Sequence, residues 1–232
     1  EGPQHSPLLP SLWRVVARDA FNGSLLWKRD IPDWAHRIYP FKSGPAQVPR
    51  RLVAVGDRVY TTLGITAPIS EIDAVTGDVL RSFPETAGTE EILVGHDCLI
   101  AVAGGPQPKP YLPVVKQDGE TVTQNLGLER DRAIEEGKWT EAEQEIVAVN
   151  LQDGSRRWQR KTKITPLSLA ASASDVVYHD GDAIICLDVA TGKPRWTSAH
   201  VERRRAILQS TGVTLVLYDD LVLFTGDDGK IT

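Results

Sequence analysis

One short motif occurs four times in this 232-residue chain, and this repetition constrains the fold more than any other feature. Each copy has an acidic or amide residue, then Gly four positions later, and three copies have Trp four positions after that glycine. The four segments are ARDAFNGSLLW (17–27), EIDAVTGDVLR (71–81), AVNLQDGSRRW (148–158) and CLDVATGKPRW (186–196). In the second copy Arg81 replaces Trp, and Phe83 follows two residues later. The chain is therefore predicted to consist of repeated structural units.

The chemistry of the motif indicates a tight hairpin turn. Asp and Asn side chains accept hydrogen bonds from backbone amides a few residues on, and Gly adopts positive φ without steric cost. The Trp then lies on the outgoing strand, where its ring can cover the gap between two sheets. If the ring of Trp196 is buried between blades, Trp196→Ala should cost about 3–5 kcal/mol, as for other large aromatic truncations. A loss below about 1 kcal/mol would argue against the blade assignment. The predicted structural residues of the repeat are Asp19, Gly23, Trp27, Asp73, Gly77, Asn150, Gly154, Trp158, Asp188, Gly192 and Trp196.

A second type of hairpin alternates with the first. Each copy has an apolar incoming strand, Asp in the turn and an apolar outgoing strand. The copies are LVAVGDRVY (52–60), ILVGHDCLI (92–100), AASASDVVY (170–178) and LVLYDDLVL (215–223). The two hairpins together form a unit of four strands, A to D. Trp158 and Trp196 lie about 38 residues apart, and a repeat of about 40 residues built from short strands favours a β-propeller over a β-sandwich.

The skeleton Ala-x-Asp-x-x-Thr-Gly-x-x-x-Trp resembles the repeat of the PQQ-like, quinoprotein-type β-propellers, which include BamB-like proteins and PQQ alcohol dehydrogenases. The resemblance covers roughly residues 13–104 and 144–232. It implies an all-β propeller of four-stranded antiparallel blades. Catalytic and non-catalytic members share the motif, so the motif is specific for the fold and not for a reaction.

The repeats predict three complete blades, at about 50–85, 90–162 and 165–200, with half a blade at each end. We expect residues 1–232 to form a single propeller domain, about four blade equivalents of a seven- or eight-bladed ring. A closed four-bladed ring is the alternative, because the two halves are complementary. An open ring exposes strand edges that tend to pair with another chain, so an edge-paired dimer is a further expectation.

Most of the irregular sequence is predicted to lie on one face, which carries the B–C and D–A connections. Residues 30–51 form a long connection, and 104–143 form an insertion between strands B and C that includes short amphipathic helices. Paired carboxylates beside His and Arg can perform acid–base chemistry, although they are also typical of a soluble surface, and Asp180 lies among them. The candidate ligand-binding residues on this face are His36, Arg37, Lys42, Arg50, Arg51, Glu90, Glu91, His179 and Arg203.

Charge and cysteine content exclude several classes of function. The net charge of −5 provides no basic field, so nucleic-acid binding is not expected. No apolar run approaches the roughly 20 residues of a membrane-spanning helix. Cys98 and Cys186 have no metal-ligand spacing and are expected to be buried thiols, with a disulfide left open. The absence of Met and the start EGPQHSPLLP indicate a processed or excised piece.

The resemblance implies an extracytoplasmic, periplasmic location in a bacterium. We expect a non-catalytic binding or scaffold module, with no catalytic residue, metal or cofactor, that binds a protein or small molecule on the loop-rich face. One alternative is part of a quinoprotein dehydrogenase that requires PQQ and calcium, although the adjacent cysteine pair of many such enzymes is missing. Another alternative is a propeller module attached to an unrelated catalytic domain.

Overall fold

The computed structural model describes residues 13–31, 48–95, 97–105, 142–203 and 213–226. These residues form sixteen strands and two short 3-10 helices, at Val48–Arg51 and Pro84–Thr86. The strands are β1 (Trp13–Arg18), β2 (Leu25–Ile31), β3 (Leu52–Val55), β4 (Arg58–Thr62), β5 (Ile69–Asp73), β6 (Val79–Phe83), β7 (Glu91–Gly95), β8 (Cys98–Ala103), β9 (Glu143–Asn150), β10 (Arg156–Lys163), β11 (Ala170–Ala171), β12 (Asp175–His179), β13 (Ala183–Asp188), β14 (Pro194–His200), β15 (Thr214–Tyr218) and β16 (Leu221–Thr225).

The strands form antiparallel sheets that follow the predicted four-strand unit. Three sheets have four strands each in chain order, β3–β6, β7–β10 and β11–β14. Two further sheets have two strands each, β1–β2 and β15–β16. The four-stranded sheets are complete blades, while β1–β2 supply strands C and D of one blade and β15–β16 supply strands A and B of another. The prediction of an all-β propeller with about four blade equivalents is confirmed.

The first strand of each blade lies innermost. Contacts run from β3 to β7, from β7 to β11 and from β11 to β15, so these four strands succeed one another around the propeller axis. The apolar core fills the spaces between neighbouring blades. Tyr60 and Phe83 of one blade pack with Ile92 of the next, and Ile100 packs with Tyr178 in the following space. All six residues of β8 are buried, which explains its uninterrupted apolar sequence.

The C–D turns have the predicted chemistry. In the turn between β5 and β6, Oδ1 of Asp73 accepts hydrogen bonds from the amides of Val75 and Thr76 at 2.9 and 3.0 Å. The amide of Gly77 donates to the Asp73 carbonyl at 2.9 Å, and Gly77 has a φ of 79°. The corresponding glycines of the other three turns also have positive φ, namely Gly23 at 75°, Gly154 at 77° and Gly192 at 68°.

Tryptophan links each blade to the turn of the next. Nε1 of Trp158 donates to the carbonyl of Val189 at 2.8 Å, and a Cβ at Gly192 would come within 2.6 Å of the Trp158 ring. Trp27 makes the same contacts in the preceding position, with the carbonyl of Ala74 at 2.8 Å and with Gly77. The glycine is therefore required twice, for its positive φ and for the space that the ring occupies.

Arg81 docks on the same part of the next turn as Trp does elsewhere. Its Nη2 donates to the carbonyl of Leu151, the residue that follows Asn150 in the turn. Its guanidinium also lies over the ring of Phe83, 5.3 Å from the centroid. The target of docking thus remains constant when the docking side chain changes.

Trp196 departs from this pattern. Its side chain is 42% exposed, and within the described part of the chain the next blade contributes only β15 and β16. Trp27 and Trp158 thus lie between blades, whereas the condition that Trp196 is buried there is not met in this structure. Because the cost of truncation follows burial, we expect Trp196→Ala to cost less than the truncation of a fully buried ring.

Several expectations concern residues outside the described ranges. Strands β8 and β9 flank the 104–143 region, of which residues 106–141 are not described, so its predicted helices and the single-domain assignment stay predictions. Cys98 and Cys186 are buried free thiols in different core clusters. Among the described residues, no helix has the length and apolar character needed to cross a bilayer.

A glycine substitution tests the docking of Trp158. We expect Gly192→Ala to lower the free energy of unfolding by about 2–4 kcal/mol, because strain at positive φ adds to overlap with the Trp158 ring. The control is Gly56→Ala, which also has positive φ (54°) but nothing within 4 Å of an added Cβ, and it should cost only about 1 kcal/mol. Urea unfolding measures both. Equal losses for the two variants would show that the ring does not require the glycine.

Candidate functional site

Four of the predicted ligand-face residues lie together where two inner strands begin. Arg50 and Arg51 end the 3-10 helix that leads into β3. Glu90 directly precedes β7, and Glu91 is its first residue. Because β7 contacts both this 3-10 helix and β3, the four side chains share the axial end of the face that carries the D–A connections.

Two polar pairs organise this group. Nη1 of Arg50 donates to Oε1 of Glu91 at 2.8 Å, and Nε2 of Gln144 donates to Oε2 of Glu90 at 3.1 Å. Arg51 donates from Nη1 to the carbonyl of Ile65 at 2.9 Å. We refer to Arg50, Arg51, Glu90, Glu91 and Gln144 as the polar cluster.

The ionisation of Glu91 is strongly affected by burial. Its side chain is only 4% exposed, and burial raises its pKa from 4.5 to about 7. The nearby charge of Glu90 raises this pKa further. The charge of Arg50 and a hydrogen bond from the amide of Leu169 both lower it. Burial also lowers the pKa of Arg51, against the influence of Glu90. A carboxyl group that exchanges its proton near neutral pH thus lies beside a guanidinium group.

Sequence reasoning missed two residues of this region. A Cβ at Gly105 would lie 2.3 Å from Oε1 of Glu90 and 2.9 Å from Nε2 of Gln144, so the end of strand B packs directly against the carboxylate. Gln144 is buried, yet it stands among the polar residues that begin β9 and no pattern in the sequence distinguishes it. Gly105 belongs to a Gly–Pro segment that indicates only a loop.

His179 is a core residue and does not face a ligand. It is fully buried, and its ring stacks on Phe224 with centroids 4.8 Å apart. Nδ1 accepts the amide hydrogen of Gly181 at 3.0 Å, so Nε2 donates to the carbonyl of Val201 at 2.9 Å. Burial lowers the pKa of His179. The prediction that His179 lies on the ligand-binding face is therefore wrong, because both of its ring nitrogens form hydrogen bonds to backbone groups.

The remaining candidates lie apart from the polar cluster or outside the described residues. Oδ1 of Asp180 accepts the amides of Asp182 and Ala183 within the turn before β13. The charge of Arg203 lowers the pKa of His179, which places Arg203 near the third blade. The other three candidates, His36, Arg37 and Lys42, lie outside the described ranges.

The chemistry of the polar cluster suits an anionic group better than calcium. Calcium takes six to eight oxygen ligands, whereas here each carboxylate already accepts a hydrogen bond and two guanidinium groups lie beside them. No group of three or more His, Cys, Asp or Glu within the described ranges could hold a metal ion. The side chain of Arg50 is 37% exposed, and its hydrogen bond to a described residue is made by Nη1, so its other donors can bind an anion.

Comparison with known proteins agrees with this architecture. The sequence model of the family described as outer membrane protein assembly factor BamB matches residues 142–232. This part of the chain is therefore similar to that family. The matched region contains β9 to β16 and two of the four turn motifs, those of Asn150 and Asp188. The chain has no significant match among curated protein sequences.

Two solved structures show the same fold. The computationally designed Ika8 protein has a TM-score of 0.52 at 16% identity, over 92% of this chain and 50% of that protein. The quinohemoprotein alcohol dehydrogenase ADHIIG from Pseudomonas putida HK5 has a TM-score of 0.50 at 13% identity, over 93% of this chain and 36% of the enzyme. The chain thus spans half the length of one of these proteins and about a third of the other.

The raised pKa of Glu91 predicts a specific dependence of stability on pH. Below pH 4.5 the group is protonated in both the folded and the unfolded state and costs nothing. Between pH 4.5 and about 7 the unfolded state releases its proton first, so the free energy of unfolding falls as the pH rises. We expect Glu91→Gln to remove this decline, which amounts to about 1–3 kcal/mol by pH 8.

Chemical denaturation of the wild type and variants at pH 4.5, 6 and 8 measures this dependence. The control is Glu143→Gln, since Glu143 is an exposed glutamate at the start of β9 that pairs with Lys161, and this variant should retain the wild-type pH profile. A decline of the same size in Glu91→Gln would show that another group causes it.

Proposed function

We propose that this chain is a non-catalytic binding or scaffold module, and that the axial end of its loop-rich face holds an anionic group of a protein or small-molecule partner. The observation that carries this proposal is the state of Arg50. Nη1 of its guanidinium is fixed by the buried carboxyl group of Glu91 at 2.8 Å, while 37% of the Arg50 side chain is exposed. A charge-assisted bond of this kind orients the remaining donors before any ligand arrives.

The residues around Arg50 favour recognition of an anionic group by the direction of its hydrogen bonds more than by the net charge of the site. Arg51 adds a second positive charge, and Glu90 and Glu91 compensate for both. A partner therefore gains little from the long-range field and more from matching the direction of the Arg50 donors. Arg guanidinium groups bind carboxylates and phosphates in a bidentate manner, so a protein carboxylate or a small organic acid is the chemistry that fits.

An extracytoplasmic, periplasmic location in a bacterium and a protein partner are parts of this proposal. They are supported by the match of residues 142–232 to a family described as an outer membrane protein assembly factor. The match covers less than half of the chain, so the partner is proposed by its chemistry and not by name.

One observation favours the alternative of a quinoprotein dehydrogenase segment. Glu91 is a buried carboxyl group with a pKa of about 7, which is the range that a proton acceptor needs at neutral pH. Under this alternative, PQQ and calcium would be bound largely by residues outside the polar cluster. A module attached to an unrelated catalytic domain is a third candidate and would use Arg50 to position a substrate.

A cofactor titration separates these functions. The purified chain is titrated with PQQ in the presence of calcium and again in EDTA, following tryptophan fluorescence. The binding-module proposal predicts no saturable quenching that depends on calcium. Saturable quenching that requires calcium and disappears in EDTA would instead favour the dehydrogenase.

Site-specific photo-crosslinking tests the partner surface directly. A benzoylphenylalanine is introduced at Ala87, which is exposed on the D–A connection just before the polar cluster, and in a separate variant at Asp78, which is exposed in a C–D turn on the opposite face. In the native host, we expect a discrete adduct from position 87 that is lost when Arg50→Ala is added. An adduct that ignores Arg50→Ala, or one that forms only from position 78, would contradict the proposal.

A further inference from the structure

One connection on the loop-rich face has a leucine where its counterpart in the preceding blade has a glycine. Residues 165–168 lead into β11, and residues 86–89 lead into β7. In each segment the first and last residues are fully buried, and the hydroxyl of the last donates to the carbonyl of the first, at 2.7 and 2.5 Å respectively. The third residue has positive φ in both, 66° for Leu167 and 71° for Gly88. The two connections are thus copies of one turn with a different side chain at its tip.

Leucine is an unfavourable residue at this position. The amide of Ser168 donates to the carbonyl of Thr165 at 3.2 Å, so these four residues form a β-turn with Pro166 second and Leu167 third. Turns with positive φ at the third position ordinarily have Gly or Asn there, because an L side chain crowds the following carbonyl in the left-handed region. Gly88 avoids this strain and Leu167 does not. A residue that keeps such strain is a place to look for a function of its side chain.

Leu167 lies next to the polar cluster. Its turn leads into Leu169, whose amide donates to the carboxyl group of Glu91. The same carboxyl group accepts a hydrogen bond from Nη1 of Arg50 at 2.8 Å. Within the turn, Pro166 and Leu167 are partly exposed, whereas the residues on either side of them are buried. The turn therefore brings a partly exposed aliphatic side chain to the same axial end of the face as the guanidinium of Arg50.

We propose that Leu167 determines which anions this site takes, and that the site binds the C-terminal carboxylate of a partner protein whose last side chain is aliphatic. The carboxylate pairs with the donors of Arg50 other than Nη1, and the aliphatic side chain packs on Leu167 and Pro166. This inference rests on the proposed function, since it assigns the anionic group to Arg50. The carboxylate of an aspartate or glutamate side chain would bring no such aliphatic group to Leu167.

The size of the apolar surface favours a chain end over a long acyl chain. Among the described residues of this connection, Pro166 and Leu167 supply the apolar surface that solvent reaches, and each is only partly exposed. This area can cover one aliphatic side chain and is too small for a chain of many carbons. In a C-terminal residue the same Cα carries the carboxylate and the side chain, so the two groups can meet Arg50 and Leu167 together.

Small models of a chain end test the proposal on the full 232-residue chain. N-acetylleucine and N-acetylglycine present the same carboxylate with and without an aliphatic side chain, and NMR titration measures both dissociation constants. We expect the wild type to bind N-acetylleucine about fivefold more tightly, the gain from partial burial of a four-carbon side chain. Leu167→Gly introduces the glycine of the preceding turn. It should reduce this preference to below about twofold and leave the affinity for N-acetylglycine unchanged.

Two further variants separate a binding contact from an effect on folding. Leu167→Asn introduces a residue that tolerates positive φ, and it should lose the preference to the same extent as Leu167→Gly. Leu80→Ala removes an exposed leucine from β6, on the outside of the preceding blade, and it should keep the preference. All variants should retain the circular dichroism spectrum of the wild type. If the Leu167 variants change the melting temperature but not the preference, Leu167 serves only the fold and the proposal is wrong.

The outcomes distinguish this inference from the proposed function. If both probes bind and Arg50→Ala abolishes their binding, but the wild type shows no preference for N-acetylleucine, only the role of Leu167 is overturned. If neither probe binds the wild type, or if N-acetylleucine amide, which lacks the carboxylate, binds equally well, the anion site itself is overturned. Tighter binding of hexanoate than of N-acetylleucine would show that the site takes a free aliphatic acid and not a chain end.

Discussion

The structure depends on one contact between neighbouring blades, in which a side chain of strand D docks on the C–D turn of the next blade. Blades in such a repeat architecture touch only their neighbours, so the contact that crosses each boundary determines whether the stack holds together. The turn is the constant part of this contact. In every described case the docking side chain donates to the carbonyl of the residue that follows the turn Asp or Asn. The docking side chain varies, since both the indole of Trp27 and Trp158 and the guanidinium of Arg81 reach that carbonyl.

The two faces of the molecule differ in role: the face with the C–D turns carries residues needed for folding, and the opposite face carries residues that can vary. The turn aspartates are fully used in folding: Asp188, for example, binds Arg195 and Thr191, which lower its pKa to about 2. A carboxylate held in this way is a poor base and has little freedom to bind a ligand. The opposite face has no such repeated requirement, and there Arg50, Glu91 and the connections between blades are free to differ from one blade to the next.

The sequence predicts the fold well because the information is local, and it predicts the site only in part. Asp73 and Gly77 form their turn with residues at most five positions apart, so the pattern alone indicates the hairpin. The topology also brings Arg50 and Glu91 to one face, as predicted. Their pairing depends on how β3 and β7 pack, which no spacing reveals. His179 was misplaced for the same reason, since its burial depends on Phe224, which lies far away in the sequence.

Burial favours the neutral form of both Glu91 and His179, but only Glu91 is connected to the surface. Protonation of His179 would cost it the hydrogen bond from Gly181 and gain nothing accessible to a ligand. Burial raises the pKa of Glu91 to about 7, and Arg50 acts against this rise. An anion that binds the outer edge of Arg50 competes for the same guanidinium and so raises the pKa of Glu91 further. Anion binding near pH 7 is therefore coupled to uptake of a proton, and the affinity of the proposed site rises as the pH falls through this range.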